Sequence, residues 1–270
     1  MLLFPNCKIN LGLSVTGKSD NGFHTLETVM YPVPLNDVLE IIISPSGKFS
    51  FEMSGLQIPG NSDDNLVVKA YKLLKEDFNL DAVAIHLLKT IPMGSGLGGG
   101  SADGAFAIKL LNSLFNLSLT TKRMQHYAAK LGSDCPFFIE NRPVLAKGRG
   151  DVFENVEVDL KGYYIKIVKP EVHINTGEAY SLIKPSIPAV PIKEIIGRPI
   201  EHWKGILAND FEKPVFQNYP EIMKIKEKLY DAGAVFASMS GSGSAVYGIF
   251  KEMTGIAEDF KDCFVWEGIL

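Results

Sequence analysis

The sequence predicts an α+β fold in two domains, and three observations carry that prediction. Strand-like and helix-like patterns mix in both halves of the chain, with hairpin signals that an all-parallel sheet does not need. The chain has 270 residues, 46% of them hydrophobic, which is enough for one large or two modest cores. Around Lys147-Gly-Arg-Gly-Asp151 the pattern lapses into loop, and a new strand pattern begins at Tyr163. The expected domains are therefore residues 1–155 and 156–270.

The elements follow in order. Ile9, Leu11, Leu13 and Val15 alternate within Cys7–Val15, the period of a strand. Lys18–Gly22 reads as a turn, Val38–Ser44 as a strand, and Gly47–Gly55 as its hairpin partner. Asp63 or Asp64 is placed to cap a helix through Asn65–Leu74. Val83, Ile85 and Leu87 alternate as a strand. Behind the glycine-rich run Gly94–Gly100, Ala102, Phe106, Ala107, Leu110, Leu111, Leu114 and Phe115 recur at helical spacing. Thr120 or Thr121 starts another helix, which ends at Leu131 with Gly132 at the C′ position. Pro136–Ile139 is short and apolar.

In the second half, Tyr163–Lys169 reads as a strand and Lys184–Pro199 as a proline-punctuated connection. Pro220 suits the first position of a helix that runs to Ala232 and is ended by Gly233. Strand Ala234–Met239, turn Ser240–Gly243 and strand Ala245–Phe250 complete the pattern.

Composition excludes several function classes. A net charge of −4 gives no electrostatic footprint for nucleic acid. No apolar stretch approaches the length of a membrane span. The apolar run Met1–Phe4 is too short for a signal peptide. Cys7, Cys135 and Cys263 are too far apart for a metal motif and are odd in number for a disulfide framework. A cytoplasmic protein is expected, with no membrane, nucleic-acid or obligate protein partner.

Chemistry concentrates at Ile91–Asp103, where five glycines fall within Gly94–Gly100 and Ser101 follows. A strand, a glycine-rich loop and a helix start gather backbone N–H groups at the positive end of a helix dipole, which is a phosphate site. Five glycines cost conformational entropy that a plain turn does not require. No G-x-x-x-x-G-K-[ST] motif occurs. Gly94, Gly96 and Gly99 spell G-x-G-x-x-G, but Asn116–Lys122 lacks the acid that a dinucleotide fold places downstream, so an NAD enzyme is disfavoured.

Three separated segments, Lys8–Leu13, Pro92–Asp103 and Ser238–Ala245, stand in an order that resembles the GHMP kinases, the superfamily of galactokinase, homoserine kinase and mevalonate kinase. Within it the chain most resembles the branch that acts on a cytidylylated methylerythritol. Lys8-Ile-Asn-Leu11, Asn21-Gly-Phe-His24, Asp64-Asn-Leu66, Gly96–Asp103, Leu131–Phe138 and Ser240–Ser244 each match a motif of that branch, over residues 7–250. Cys7 stands where alanine is usual, Asn21 where aspartate is usual, and Gly177 where some members have proline.

The resemblance implies an N-terminal ATP-binding α/β domain and a C-terminal ferredoxin-like domain. The implied reaction is ATP-dependent phosphorylation of the 2-hydroxyl of 4-diphosphocytidyl-2-C-methyl-D-erythritol, a step of non-mevalonate isoprenoid precursor synthesis. Asp134 aligns with the general base and Lys8 with the cation beside it. ATP falls to Asn65 on the adenine side and to Pro92, Met93, Gly94, Ser95, Gly96, Leu97, Gly98, Gly99, Gly100, Ser101 and Ala102. Mg²⁺ accompanies ATP, with Ser101 its candidate protein ligand; no carboxylate pair marks a metal site. Asn10, two residues from Lys8 and on the same strand face, is assigned to the methylerythritol. Phe23 and Tyr180 are assigned to the cytosine faces and His24 to its edge, with Thr176, Gly241, Ser242 and Gly243 completing the substrate site.

Each of these residues also has a structural reading: Asp134 as a turn residue, Lys8 as a snorkelling lysine, Asn65 as a helix cap and Tyr180 as core. One alternative is another GHMP kinase, of homoserine or mevalonate type; the triple glycine and Phe23-His24 speak against it. A second is an inactive binding protein of the same fold; retention of Lys8, Asp134 and the loop speaks against that.

Overall fold

The computed structural model describes residues 1–18, 22, 24–57, 60–253 and 260–270. Strands β1 (Leu2–Leu3), β2 (Asn6–Lys18), β3 (His24–Asn36), β4 (Val38–Ile43) and β5 (Ser50–Gly55) lead to α1 (Leu66–Phe78), β6 (Val83–Lys89), α2 (Gly99–Leu114), α3 (Thr121–Leu131) and α4 (Phe137–Glu140). Then follow β7 (Val144–Lys147), β8 (Val152–Asn155), β9 (Tyr164–Pro170), α5 (Thr176–Ser181), α6 (Ile192–Ile196), α7 (Glu212–Asn218), α8 (Pro220–Asp231), β10 (Phe236–Met239), β11 (Val246–Phe250) and β12 (Cys263–Ile269). The turn expected at Lys18–Gly22 falls largely outside the described residues. No helix among them is long and apolar enough to cross a membrane.

The chain divides into two compact units that interleave in sequence. The first comprises Met1–Cys7, Leu35–Met93 and Gly98–Arg142. Its sheet has the order β1-β4-β6-β5, and α1, α2 and α3 pack on one another. Leu39, Ile41, Ile85, Leu87, Leu110 and Leu111 form part of its buried interior. Each such side chain contributes roughly 1.5–3 kcal/mol by leaving water.

The hairpin expected between Val38–Ser44 and Gly47–Gly55 is not formed. β4 pairs antiparallel with β6, and β5 pairs parallel with the other edge of β6. The physical reason is burial: Val83, Ile85 and Leu87 of β6 are almost wholly buried whereas Ile42 and Ile43 of β4 are exposed, and the central position covers both edges of β6. Helix α1 is the crossover that parallel pairing of β5 and β6 requires.

Two helix ends also differ from expectation. Asp63 and Asp64 lie in a single 3-10 turn, and Asn65 caps α1, its side chain accepting from the Val67 N–H at 2.9 Å. Thr120 caps α3 as expected, but Gly132 has φ 172°, an extended rather than left-handed backbone. Gly233, at φ 96°, does end α8 in the left-handed region.

The second unit comprises Lys8–Pro34, Gly94–Leu97 and Pro143–Leu270. One of its sheets is antiparallel with the order β10-β11-β9-β12, so the first strand of this segment lies between its third and last. That is the ferredoxin-like order. Helix α8 packs on it through Ile222, Ile225 and Leu229, against Ala237, Met239, Val246 and Phe250. The remaining sheet has the order β2-β3-β7-β8.

Candidate active site

In the first unit the glycine run ends at the start of α2. Gly98 is the N-cap in the left-handed region (φ 73°), and no side chain caps the helix. The N–H groups of its first turn are thus left to a ligand, as an anion site requires. Gly100 has no atom within 4 Å of where a Cβ would stand. It lines a cavity of 460 Å³ together with Phe51, Asn65, Leu66, Lys89, Met93 and Asp103.

Lys89 and Asp103 belong to a buried ionic cluster. The Lys89 ammonium pairs with Asp37 and, at 2.8 Å, with Asp103 Oδ2. Asp37 Oδ1 accepts from the Thr90 and Ile91 N–H groups at 2.6 and 2.8 Å. Asp103 Oδ1 is buried with no hydrogen-bond partner among the described residues. Burial works against the Lys89 charge, but the two carboxylates outweigh it and raise its pKa. Burial, with the Asp37 charge opposing the help from Lys89, pushes the Asp103 carboxyl up to about 7.

Asp134 is half-buried in the turn between α3 and α4. Its neighbour Cys135 is fully buried, and the Ser101 hydroxyl in the first turn of α2 is near enough to influence its thiol. Burial pushes the Cys135 thiol up to about 12, so it stays protonated.

In the second unit, Lys8 and Asn10 do share one face of β2. Lys8 Nζ donates to Asn10 Oδ1 at 2.5 Å and to the Gly96 carbonyl at 3.0 Å. Ser240 Oγ donates to the same carbonyl at 2.9 Å. Gly96 has φ 78°, and a Cβ there would stand 1.9 Å from the Ser240 carbonyl oxygen, so no other residue fits. The segment is further held by Lys8 N–H to Leu97 O and Ala245 N–H to Ser95 O. Leu97 itself is fully buried. The Ser240–Gly243 turn is secured by Asn209, whose Nδ2 reaches the Met239 and Gly241 carbonyls, each at 2.8 Å.

His24 stacks on Tyr180, with ring centroids 4.9 Å apart and 21° between planes, and Tyr180 meets Phe211 edge-on. His24 Nε2 is buried without a hydrogen-bond partner among the described residues. Burial, then the Lys18 charge, lowers its pKa, which keeps the ring neutral near pH 7. Thr176 and Ser242 hydroxyls lie 3.1 Å apart. Phe23 lies outside the described residues.

The structure thus joins Lys8, Asn10 and Gly96 in one group, His24 and Tyr180 in another, and Asn65, Met93 and Gly100 around one cavity. Sequence reasoning missed Lys89, although it continues the Val83, Ile85, Leu87 alternation as a charged residue in phase with buried ones. It also missed Thr28, Asn209 and the hydroxyl of Ser240, polar residues with no motif of their own.

This loop between strand and helix, with a ferredoxin-like sheet following it, defines a GHMP kinase. The N-terminal domain of the GHMP kinases matches residues 65–142, and their C-terminal domain matches residues 193–259. The chain is 52% identical to a 4-diphosphocytidyl-2-C-methyl-D-erythritol kinase of Bacteroides fragilis, over 99% of this chain and 98% of that one. It superposes on a crystal structure of 4-(cytidine 5'-diphospho)-2C-methyl-D-erythritol kinase with a TM-score of 0.83 and 28% identity, covering 99% and 98% of the two chains. A mevalonate kinase from Methanococcus jannaschii shares the fold at a TM-score of 0.72 and only 14% identity, covering 99% of this chain and 97% of that one. The chain belongs to the 4-diphosphocytidyl-2-C-methyl-D-erythritol kinase family, and is an ATP-dependent kinase.

Proposed function

We propose that this chain transfers the γ-phosphoryl group of ATP to the 2-hydroxyl of 4-diphosphocytidyl-2-C-methyl-D-erythritol in the non-mevalonate route to isoprenoid precursors. The Gly96 carbonyl carries the reading: it accepts from both Lys8 Nζ and Ser240 Oγ, so the glycine loop is bonded to the strand face that presents Lys8 and Asn10. Phosphoryl transfer depends on such positioning and on charge stabilisation more than on covalent chemistry.

In this reading Asp134 takes the proton of the attacking hydroxyl. The Lys8 ammonium favours the ionised carboxylate and the developing alkoxide. Asn10 binds the methylerythritol. The ATP phosphates rest on the loop Pro92–Ala102, through backbone N–H groups at its glycines and Ser101, and adenine enters the cavity beside Asn65 and Met93. Phe23, His24 and Tyr180 select cytosine by stacking and by its edge. Thr176, Gly241, Ser242 and Gly243 line the remainder of the substrate.

Mg²⁺ brought in with ATP would supply neutralisation of phosphate charge. Among the described residues no group of three or more His, Cys, Asp or Glu is placed to hold a metal. A magnesium ion that keeps water and phosphate oxygens as most of its shell needs no such group, and Ser101 Oγ is the protein oxygen assigned to it. The reading includes a cytoplasmic location, a domain boundary near residue 155, and no nucleic-acid, membrane or obligate protein partner.

The test is transfer of labelled γ-phosphate in the presence of Mg²⁺ to the cytidylyl substrate, to homoserine and to mevalonate. Phosphorylation of the cytidylyl substrate alone is expected. Comparable turnover on either of the others overturns the assignment.

A further inference from the structure

We infer that Thr28, in β3, is a positioning residue: its hydroxyl fixes the orientation of the Asn10 amide and through it the Lys8 ammonium. Thr28 is 1% exposed. Its Oγ1 lies against two groups, the Gly12 carbonyl and Asn10 Nδ2, the latter at 3.0 Å. A carbonyl only accepts, so the single Thr28 proton goes to Gly12 O. The remaining lone pairs of the hydroxyl then require a donor, and the NH₂ of Asn10 is that donor. The amide therefore has one orientation, with Oδ1 turned to Lys8 Nζ at 2.5 Å. A flipped amide would set its NH₂ against the ammonium and leave the Thr28 lone pairs facing an oxygen.

The rest of the network supports the same geometry. Tyr247, fully buried, donates from its hydroxyl to the Asn10 backbone carbonyl at 2.7 Å and fixes the main chain there. Gly96 O holds the second bond of Lys8 and is itself shared with Ser240 Oγ. Two of the oxygens that direct the ammonium are thus Gly96 O, from the loop, and Asn10 Oδ1, whose place Thr28 helps to hold. Removing the hydroxyl while keeping the shape leaves a buried NH₂ unpaired and takes away one of the contacts that hold the amide in place.

The inference rests on the reading of Lys8 as the assisting cation. The experiment compares steady-state kinetics of wild type, Thr28→Val, Thr28→Ser, Lys8→Met and the Thr28→Val/Lys8→Met double variant. Thr28→Val should lower kcat about tenfold, the loss of one hydrogen bond of ordinary strength, with the KM for ATP changed less than about twofold. Thr28→Ser should restore most of the turnover. The double variant should be no slower than Lys8→Met alone, because Thr28 acts through Lys8.

Equal impairment of the serine and valine variants, or full turnover in a folded Thr28→Val, overturns the inference. Full turnover in Lys8→Met overturns the reading of Lys8, whereas loss in Lys8→Met with none in Thr28→Val overturns only the role of Thr28. Should Thr28→Val not fold, amide exchange in the wild type decides. The Asn10 side-chain NH₂ protons should be two separate NMR signals protected from solvent exchange, and rapid exchange overturns the inference.

Discussion

In the proposed mechanism Asp134 and Lys8 are single side chains that move or stabilise one proton. Asp134→Asn should fold normally and lose about 10² to 10⁴ in kcat. Combined with Lys8→Met, the losses should be less than additive, because both residues serve one transfer. Near wild-type turnover in Asp134→Asn removes that residue from the mechanism. A different residue contributes to the pH dependence of stability. Asp103 titrates at about 7 in the folded chain, against 3.8 ordinarily, because burial disfavours its charge. Between those values the folded state binds more protons than the unfolded state, so this group makes stability fall as pH rises, with the full penalty above 7. Urea midpoints measured at about pH 4.5 and about pH 7.5 should show that fall, and Asp103→Asn should flatten it. An unchanged slope would mean that Lys89 holds Asp103 ionised throughout, against burial and the Asp37 charge.

At the scale of the element, the N-terminus of α2 separates what folding needs from what binding needs. Gly96 is required by packing, since a Cβ meets the Ser240 backbone. Gly100 is not: it stands inside a helix with open space before it, and alanine there should stabilise the fold by about 0.5–1 kcal/mol. That open space is the cavity wall. Gly100→Ala should therefore raise Tm and also raise the KM for ATP, because the methyl group intrudes where phosphate approaches the N–H groups. Calorimetry with the cytidylyl substrate should show little change. An unaltered KM for ATP would move the phosphate site away from this turn.

For the whole molecule, the proposed reading assigns base selection to His24 and Tyr180, a group separate from Lys8 and Asn10. His24 Nε2 is buried without a hydrogen-bond partner among the described residues, which is consistent with the proposed reading of the cytosine edge. His24→Ala should then narrow the preference for cytidine- over uridine-bearing substrate by about 1–3 kcal/mol, measured as a ratio of kcat/KM values. Removing the cytidylyl group should cost kcat as well as KM, because remote binding energy positions the hydroxyl. A preference unchanged in His24→Ala would assign base reading to the Thr176–Tyr180 segment.

The class of fold, most of the elements and the glycine loop were legible from residue order alone. Those features rest on local regularities: period two in β2 and β6, helical spacing in α2, and glycines where backbone must approach a ligand. Lys8 and Asn10 were legible for the same reason, because alternation along one strand puts them on one face. Only the tertiary structure decided that β5 pairs with β6 rather than with β4, since pairing is settled by which strand gains most from a central, doubly covered position. It alone brought Asp37 and Asp103 to Lys89, Ser240 to Gly96, and Thr28 to Asn10. These partners lie 14 to 144 residues apart in the chain. A hydrogen bond between buried groups is specified by direction and distance in space, and neither quantity has a trace in residue spacing.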